Sequence, residues 1–135
     1  MKNHKAEKSG IQALFSLQSE IESVFTAIAE KYELTKEELL ILLTIWDKGD
    51  MTLKEMDQFV PIKSYKRSRT YNHLVNQKWI HKERPENDER TVMIYSNEDM
   101  QDKKRELLSL IVSETKNHQK SMSQNFNQIM QMAHV

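Results

Sequence analysis

Two stretches hold the side chains with most chemistry to offer: "KSYKRSRT" at residues 63–70 and "RPENDERT" at residues 84–91. The first packs Lys63, Lys66, Arg67 and Arg69 into seven residues with no acid among them, beside Ser64, Tyr65 and Thr70. At helical spacing Lys63, Lys66, Arg67 and Thr70 share a face, and Tyr65 and Arg69 form the adjacent row. Ammonium and guanidinium groups so placed neutralise phosphates, while the hydroxyls and the aromatic edge can meet base edges in a groove. Most charge runs are plain solvated helix faces. Here neither packing nor helix propensity asks for such one-sidedness, and cations at a helix start oppose its dipole. A face that costs stability calls for an anionic partner.

The second stretch sets Arg84 and Arg90 on either side of a polar turn, "PEND". A cation at the end of such a turn can enter the minor groove of a duplex, where the negative potential is deepest. Asp88 and Glu89 can hydrogen-bond the guanidiniums or nearby backbone N–H groups. Exposed ion pairs add little stability, so these acids would serve orientation; a merely solvated turn is the plainer alternative.

Other chemistries find no footing. The five histidines (His4, His73, His81, His118 and His134) are scattered, with no two at ligand spacing on one helix face, so no metal is expected. There is no cysteine, which removes disulfides, thiolate zinc sites and thiol redox switches. Neither a nucleophile elbow, a phosphate-binding glycine loop nor a paired-carboxylate pattern stands clear of helix-surface charge, so neither an enzyme nor a cofactor is expected. The net charge of zero hides a local excess. Residues 63–84 carry seven Lys and Arg against one acid, residues 1–62 seven against eleven, and residues 85–135 six against eight. A basic block in an acidic chain is a binding footprint that the whole-chain sum conceals.

These groups need elements to hold them. With 135 residues the chain can bury a core of its own, and only two Gly and two Pro favour helices with short turns. Ile11, Leu14, Leu17, Ile21, Val24, Phe25 and Ile28 recur at three- and four-residue spacing, which predicts an amphipathic helix from Ser9 to Lys31. Thr35 with Glu38, and Thr52 with Glu55, are capping-box pairs, stapled by Leu34/Leu39 and Met51/Met56. The first opens a helix apolar over most of its girth, stopping near Gly49. The second opens a helix of about two turns that Pro61 ends. "KSYKRSRTYNHLVNQKW" then predicts a helix whose first half is polar or cationic. "WIHKER" and "RTVMIYS" alternate as strands around the "PEND" turn, a β-hairpin. Ser96 or Asn97 caps one long last helix, weakly polar around "TKNHQK".

Short helix, turn, basic helix and two-stranded ribbon in that order describe a mainly α, α+β winged helix-turn-helix, with the second helix in the major groove and the hairpin as its wing. The expected layout is one domain over residues 1–135, with helix-turn-helix at 52–78, wing at 79–96, and long terminal helices at 9–31 and 98–132. One such motif grips about one half-site weakly, so a homodimer is expected. The apolar stripes Ile11, Leu14, Leu17, Ile21 and Met122, Phe126, Ile129 are the expected interface; closing a core within one chain is the alternative. No apolar run reaches about 18 residues, and "MKNHKAEKSG" lacks the apolar segment of a leader, which points to a soluble cytoplasmic protein with no membrane partner.

"RPENDERTVMI" resembles the wing of MarR-type regulators, where an acidic pair and Arg precede a Thr/Lys-Val-aliphatic strand. Together with "ILLTIWDKGDMTLKEMDQFV", "YKRSRTYNHLV" and "WIHKERPENDERTV", it is similar to the staphylococcal SarA subfamily from about residue 10 to 130. The resemblance implies a homodimeric regulator of virulence and surface-protein genes, binding AT-rich promoter DNA, as repressor or activator. It puts Tyr65 and Lys66 at the start of the recognition helix and Arg84, Asp88, Glu89 and Arg90 in the wing. Several relatives sense oxidation through a cysteine, which this sequence lacks. A second reading keeps the fold but has it act as a helical module that pairs with another regulator.

Overall fold

The computed structural model describes residues 9–84 and 91–134. Asp88, Glu89 and Arg90 of the expected wing tip lie outside the described residues.

Three helix starts follow a local rule. Helix α1 (Gly10–Tyr32) opens on a capping box, with Ser9 Oγ accepting from Gln12 N at 3.1 Å and Gln12 Oε1 from Ser9 N at 3.3 Å. Gln12 stands here in place of the commoner Glu, so this box is less conspicuous in the sequence than the two that follow. Helix α2 (Lys36–Lys48) and helix α3 (Leu53–Phe59) open on the two expected boxes, Thr35/Glu38 and Thr52/Glu55. Glu55 is exposed, and the backbone N–H of Thr52 holds its carboxyl below the usual range. Gly49, at φ 97°, stops α2. Helix α4 runs Ser64–Asn76.

Two helix ends use a left-handed residue that is not glycine. After α1, Glu33 (φ 56°) donates to Glu30 O and Leu34 N reaches back to Ala29 O. After α4, Lys78 (φ 70°) donates to Val75 O and Trp79 N reaches Leu74 O. Both are Schellman ends, which satisfy the last carbonyls whatever side chain stands at the turn.

Strands β1 (Met51–Thr52), β2 (Ile80–Glu83) and β3 (Met93–Ser96) form one antiparallel sheet in the order β1-β3-β2. The hairpin is as expected, with Lys82 opposite Ile94 and Ile80 opposite Ser96. Its outgoing strand does not alternate: only Ile80 of β2 is buried, as an edge strand permits. The third strand was unforeseen. Met51 pairs with Ile94 and Thr52 with Met93, so the two residues that start α3 also brace the returning strand.

One long last helix was expected, and the structure divides it. After a turn of 3-10 helix at Glu98–Met100, capped by Asn97, helix α5 covers Gln101–Asn117 and helix α6 covers Gln119–Met130. The break falls at His118, inside the polar "TKNHQK" interval, where His118 N bonds to Thr115 O instead of a residue four back. A further 3-10 turn spans Gln131–His134.

The chain forms two compact units, residues 29–106 and the pair of segments 1–28 and 107–135. The first holds most of the core: Leu39, Ile41, Leu42, Met56, Leu74, Ile80 and Ile94 are almost fully buried. In the second, Ala13, Val24, Ile28 and Leu107 are buried, and Asn125 is buried with its amide donating to Glu20 at 3.2 Å. That unit also leaves Ile11, Leu14, Phe15, Ile21, Val112 and Phe126 exposed. Of the expected interface residues, Leu17, Met122 and Ile129 are half-buried.

Candidate nucleic-acid interface

Helix α4 is amphipathic in an unusual sense: its inner face is apolar, and its outer face is cationic instead of mixed. Tyr71 and Leu74 bury its second half. Lys63 stands at the N-cap position and supplies no side-chain acceptor. Ser, Thr, Asp or Asn normally satisfies the first N–H groups there, so the positive end of the dipole is left toward solvent. Ser64, Tyr65 and Arg69 are exposed, Tyr65 at 76%, and Lys66 is half-exposed with its ammonium 5.9 Å from the Tyr65 ring centre.

Not every residue expected on this face belongs to it. Thr70 is buried, and its hydroxyl donates to Lys66 O at 2.8 Å. A Thr at that point of a helix bonds its own preceding turn and has no free donor to spare. Arg67 turns toward α3, where its Nη2 lies 3.1 Å from Asp57 Oδ2. The acid-free run in the sequence therefore has an acid after all, contributed by the preceding helix. Lys66, Arg69 and Asn72 instead line one wall of an open cleft, with Glu33, Thr35 and Glu37 at the start of α2 opposite.

The hairpin is tied to this same side. Lys82 Nζ on β2 donates to the side-chain Oδ1 of Asn72 at 3.0 Å, which brings a hairpin cation beside the exposed row of α4. Neither residue stood out in the sequence, and their ten-residue separation follows no helical or strand rule. Arg84, at the end of the described outgoing strand, is exposed. At the base of the hairpin, buried Asn97 donates from Nδ2 to Lys78 O at 2.7 Å and from its backbone to Trp79 O at 3.1 Å. The wing stalk thus closes on the exit of α4.

A chain of polar contacts fixes α4 against α2. Buried Glu38 accepts from Thr35 N at 2.7 Å with Oε1, and its Oε2 lies 2.6 Å from His73 Nδ1. His73 Nε2 is 3.1 Å from Gln77 Nε2, and Gln77 Oε1 accepts from Trp79 Nε1 at 3.1 Å. Every member is satisfied if His73 carries its proton on Nδ1, donating to the carboxylate and accepting from the amide. A satisfied buried network sets one geometry for the elements that it joins. Among the described residues no group of three His, Asp or Glu is arranged to hold a metal, and no helix is long and apolar enough to cross a membrane.

The geometry is that of a helix-turn-helix whose second helix and adjoining ribbon present cations together. A family model described as "Transcriptional regulator SarA/Rot" matches residues 23–107, from within α1 to the first turns of α5. The chain is 50% identical over 121 residues to the HTH-type transcriptional regulator rot of Staphylococcus aureus (strain MRSA252), covering 90% of this chain and 73% of that protein. Among solved structures, overoxidized AbfR bound to DNA superposes with a TM-score of 0.64 at 17% identity, over 91% of this chain and 90% of that one. Wild-type MarR from E. coli superposes with a TM-score of 0.64 at 15% identity, over 78% and 82%. At such identities the likeness is one of fold, a MarR-type winged helix. The sequence relatives are regulators of transcription and not enzymes, and by both the family match and the identity this chain belongs to the SarA/Rot family of DNA-binding transcriptional regulators.

Proposed function

We propose that this regulator acts as a cytoplasmic homodimer on AT-rich promoter DNA of virulence and surface-protein genes, repressing some and activating others. The helix-turn-helix at 52–78 carries α4 into the major groove, and the wing at 79–96 follows the backbone into the minor groove. Lys63, Lys66 and Arg69 meet phosphates or base edges, with Ser64 and Tyr65 on base edges, and Arg84 and Arg90 serve the wing, oriented by Asp88 and Glu89. The observation that carries this reading is the exposed row Tyr65, Lys66 and Arg69, with Lys82 of the hairpin drawn alongside by Asn72. Phosphate contacts at such a row supply affinity and the base contacts supply discrimination. A titrating salt series on an AT-rich duplex tests it. Affinity is expected to fall steeply with salt, and an Arg84→Ala/Arg90→Ala double variant to bind more weakly with a slope shallower by about 1.8, or ~0.9 per lost phosphate contact.

A second reading, pairing with a different regulator, draws support from the exposed apolar side chains Ile11, Leu14, Phe15 and Phe126. It predicts a flat salt response on DNA and unchanged binding by the double variant. Genome-wide occupancy paired with transcript changes on removal of the protein identifies the genes and the direction of control.

A further inference from the structure

We propose that Asp57 withholds Arg67 from DNA, so that Arg67 is a positioning residue for the recognition helix and Asp57 sets how strongly the protein binds DNA of any sequence. The inference rests on the DNA-binding reading above and refines it. Its basis is a cluster between α3 and α4. Arg67 Nη2 lies 3.1 Å from Asp57 Oδ2, with the Asp57 side chain 29% and the Arg67 side chain 42% exposed. Beneath the pair sits Tyr71, 1% exposed. Burial raises the Tyr71 hydroxyl well above the usual tyrosine range, and the negative charge of Asp57 adds to the effect while Arg67 opposes it. The Tyr71 hydroxyl therefore lies within reach of both charges.

The contact is a single point, although a guanidinium and a carboxylate can pair through two. Asp57 Oδ1, Arg67 Nε and the Tyr71 hydroxyl are each buried without a hydrogen-bond partner among the described residues. An ion pair with such loose ends is a poor source of stability, since desolvation offsets most of its attraction. Its consequence is electrostatic and geometric. The carboxylate occupies the place that a phosphate would take on the guanidinium, and it joins the last turn of α3 to the first turn of α4.

Removing one cation from the DNA-facing set has a definite sense. Binding to arbitrary sequence grows with the number of neutralised phosphates, whereas discrimination comes from base contacts. A regulator that keeps Lys63, Lys66 and Arg69 outward and holds Arg67 inward loses affinity for all duplexes alike. It keeps the difference between right and wrong sites.

The test compares full-length wild type, Asp57→Asn, Arg67→Met and the double variant on one AT-rich and one GC-rich duplex, across 50–200 mM salt. Asp57→Asn is expected to bind both duplexes more tightly at low salt and to lose affinity more steeply, by ~0.9 in the logarithmic slope or roughly 3.5-fold across that range. Arg67→Met is expected to keep the wild-type slope, and the double variant to return to it. A slope flattened by about 0.9 in Arg67→Met means that the wild-type guanidinium already contacts phosphate, and overturns the inference; so does an unchanged slope in a folded Asp57→Asn. Should Asp57→Asn not fold, Arg67→Met decides alone by the same criterion. A flat wild-type response overturns the DNA reading itself, an outcome distinct from a steep wild type with a flattened Arg67→Met.

Discussion

Tyr65 is the side chain on α4 that most needs a reason for its position. It is 76% exposed, a cost that packing would remove by turning it inward. An aromatic edge at the start of a recognition helix can lie against the thymine methyl in the major groove. Tyr65→Ala is therefore expected to relax preference at thymine-containing steps by up to about 0.8 kcal/mol per thymine methyl uncovered, as read by selection of bound sequences from a random pool. Unchanged preference would remove Tyr65 from base reading. A second tyrosine supplies a test of stability against pH. Burial pushes the Tyr32 hydroxyl from 10.0 up to about 12, helped by its 2.7 Å hydrogen bond to Glu106 and that carboxylate's charge. The folded state thus favours the protonated phenol. Its stabilisation is complete below pH 10 and is lost as pH rises toward about 12. Unfolding curves across that range are expected to show the decline, and Tyr32→Phe to make it shallower, with the buried Tyr71 hydroxyl supplying the remainder. At this scale the sequence was a fair guide to charge and a poor one to direction. Tyr65 and Arg69 reach solvent and Lys66 does so in part, but Thr70 bonds its own helix and Arg67 meets Asp57 across a turn. Side-chain choice between two nearby partners is a tertiary matter that no residue count encodes.

The helix starts were legible because capping is local: Thr35 with Glu38 and Thr52 with Glu55 each complete their box within one turn. Helix ends were less so. The familiar signal is Gly or Asn at a positive-φ position; Gly49 gives it after α2, but α1 and α4 end on Glu33 and Lys78 instead. A Cβ in that conformation costs on the order of 1 kcal/mol. Glu33→Gly is accordingly expected to stabilise the fold by up to about 1 kcal/mol in denaturant unfolding, the gain being reduced by the greater freedom of Gly in the unfolded chain. A loss of stability would show that the Glu33 side chain contributes more than its backbone strain. The break at His118 was half visible, as a polar interval without a breaker residue, and nothing short of packing could have made it a break. Strand β1 was hidden for a different reason. Two residues that serve as helix cap and staple carry no strand pattern, and only the returning strand opposite reveals them.

For the molecule as a whole, the apolar pattern of the terminal segments was readable, while the choice between a dimer interface and a core within one chain was not. Periodicity marked Ile11, Leu14 and Ile21 as one stripe, and they are exposed at 61%, 50% and 45%. Exposed apolar stripes of that length are characteristic of interaction surfaces. If the partner is a second copy, Leu14→Glu with Phe126→Glu is expected to convert dimer to monomer in sedimentation equilibrium. DNA affinity should fall with it, since the second half-site contact ceases to be intramolecular. A dimer that persists in the double variant would place the interface elsewhere and would favour a different occupant for this surface.

Strand β1 has a practical corollary for anyone exchanging parts between such regulators. Because Met51 and Thr52 pair with β3 while Thr52 caps α3, and Leu53 N bonds to Val92 O at 2.9 Å, the hairpin cannot be swapped as a cassette cut at residues 79 and 96. A chimera that imports a foreign ribbon must import matching residues at 51–53 as well, or its graft will arrive without its third rail.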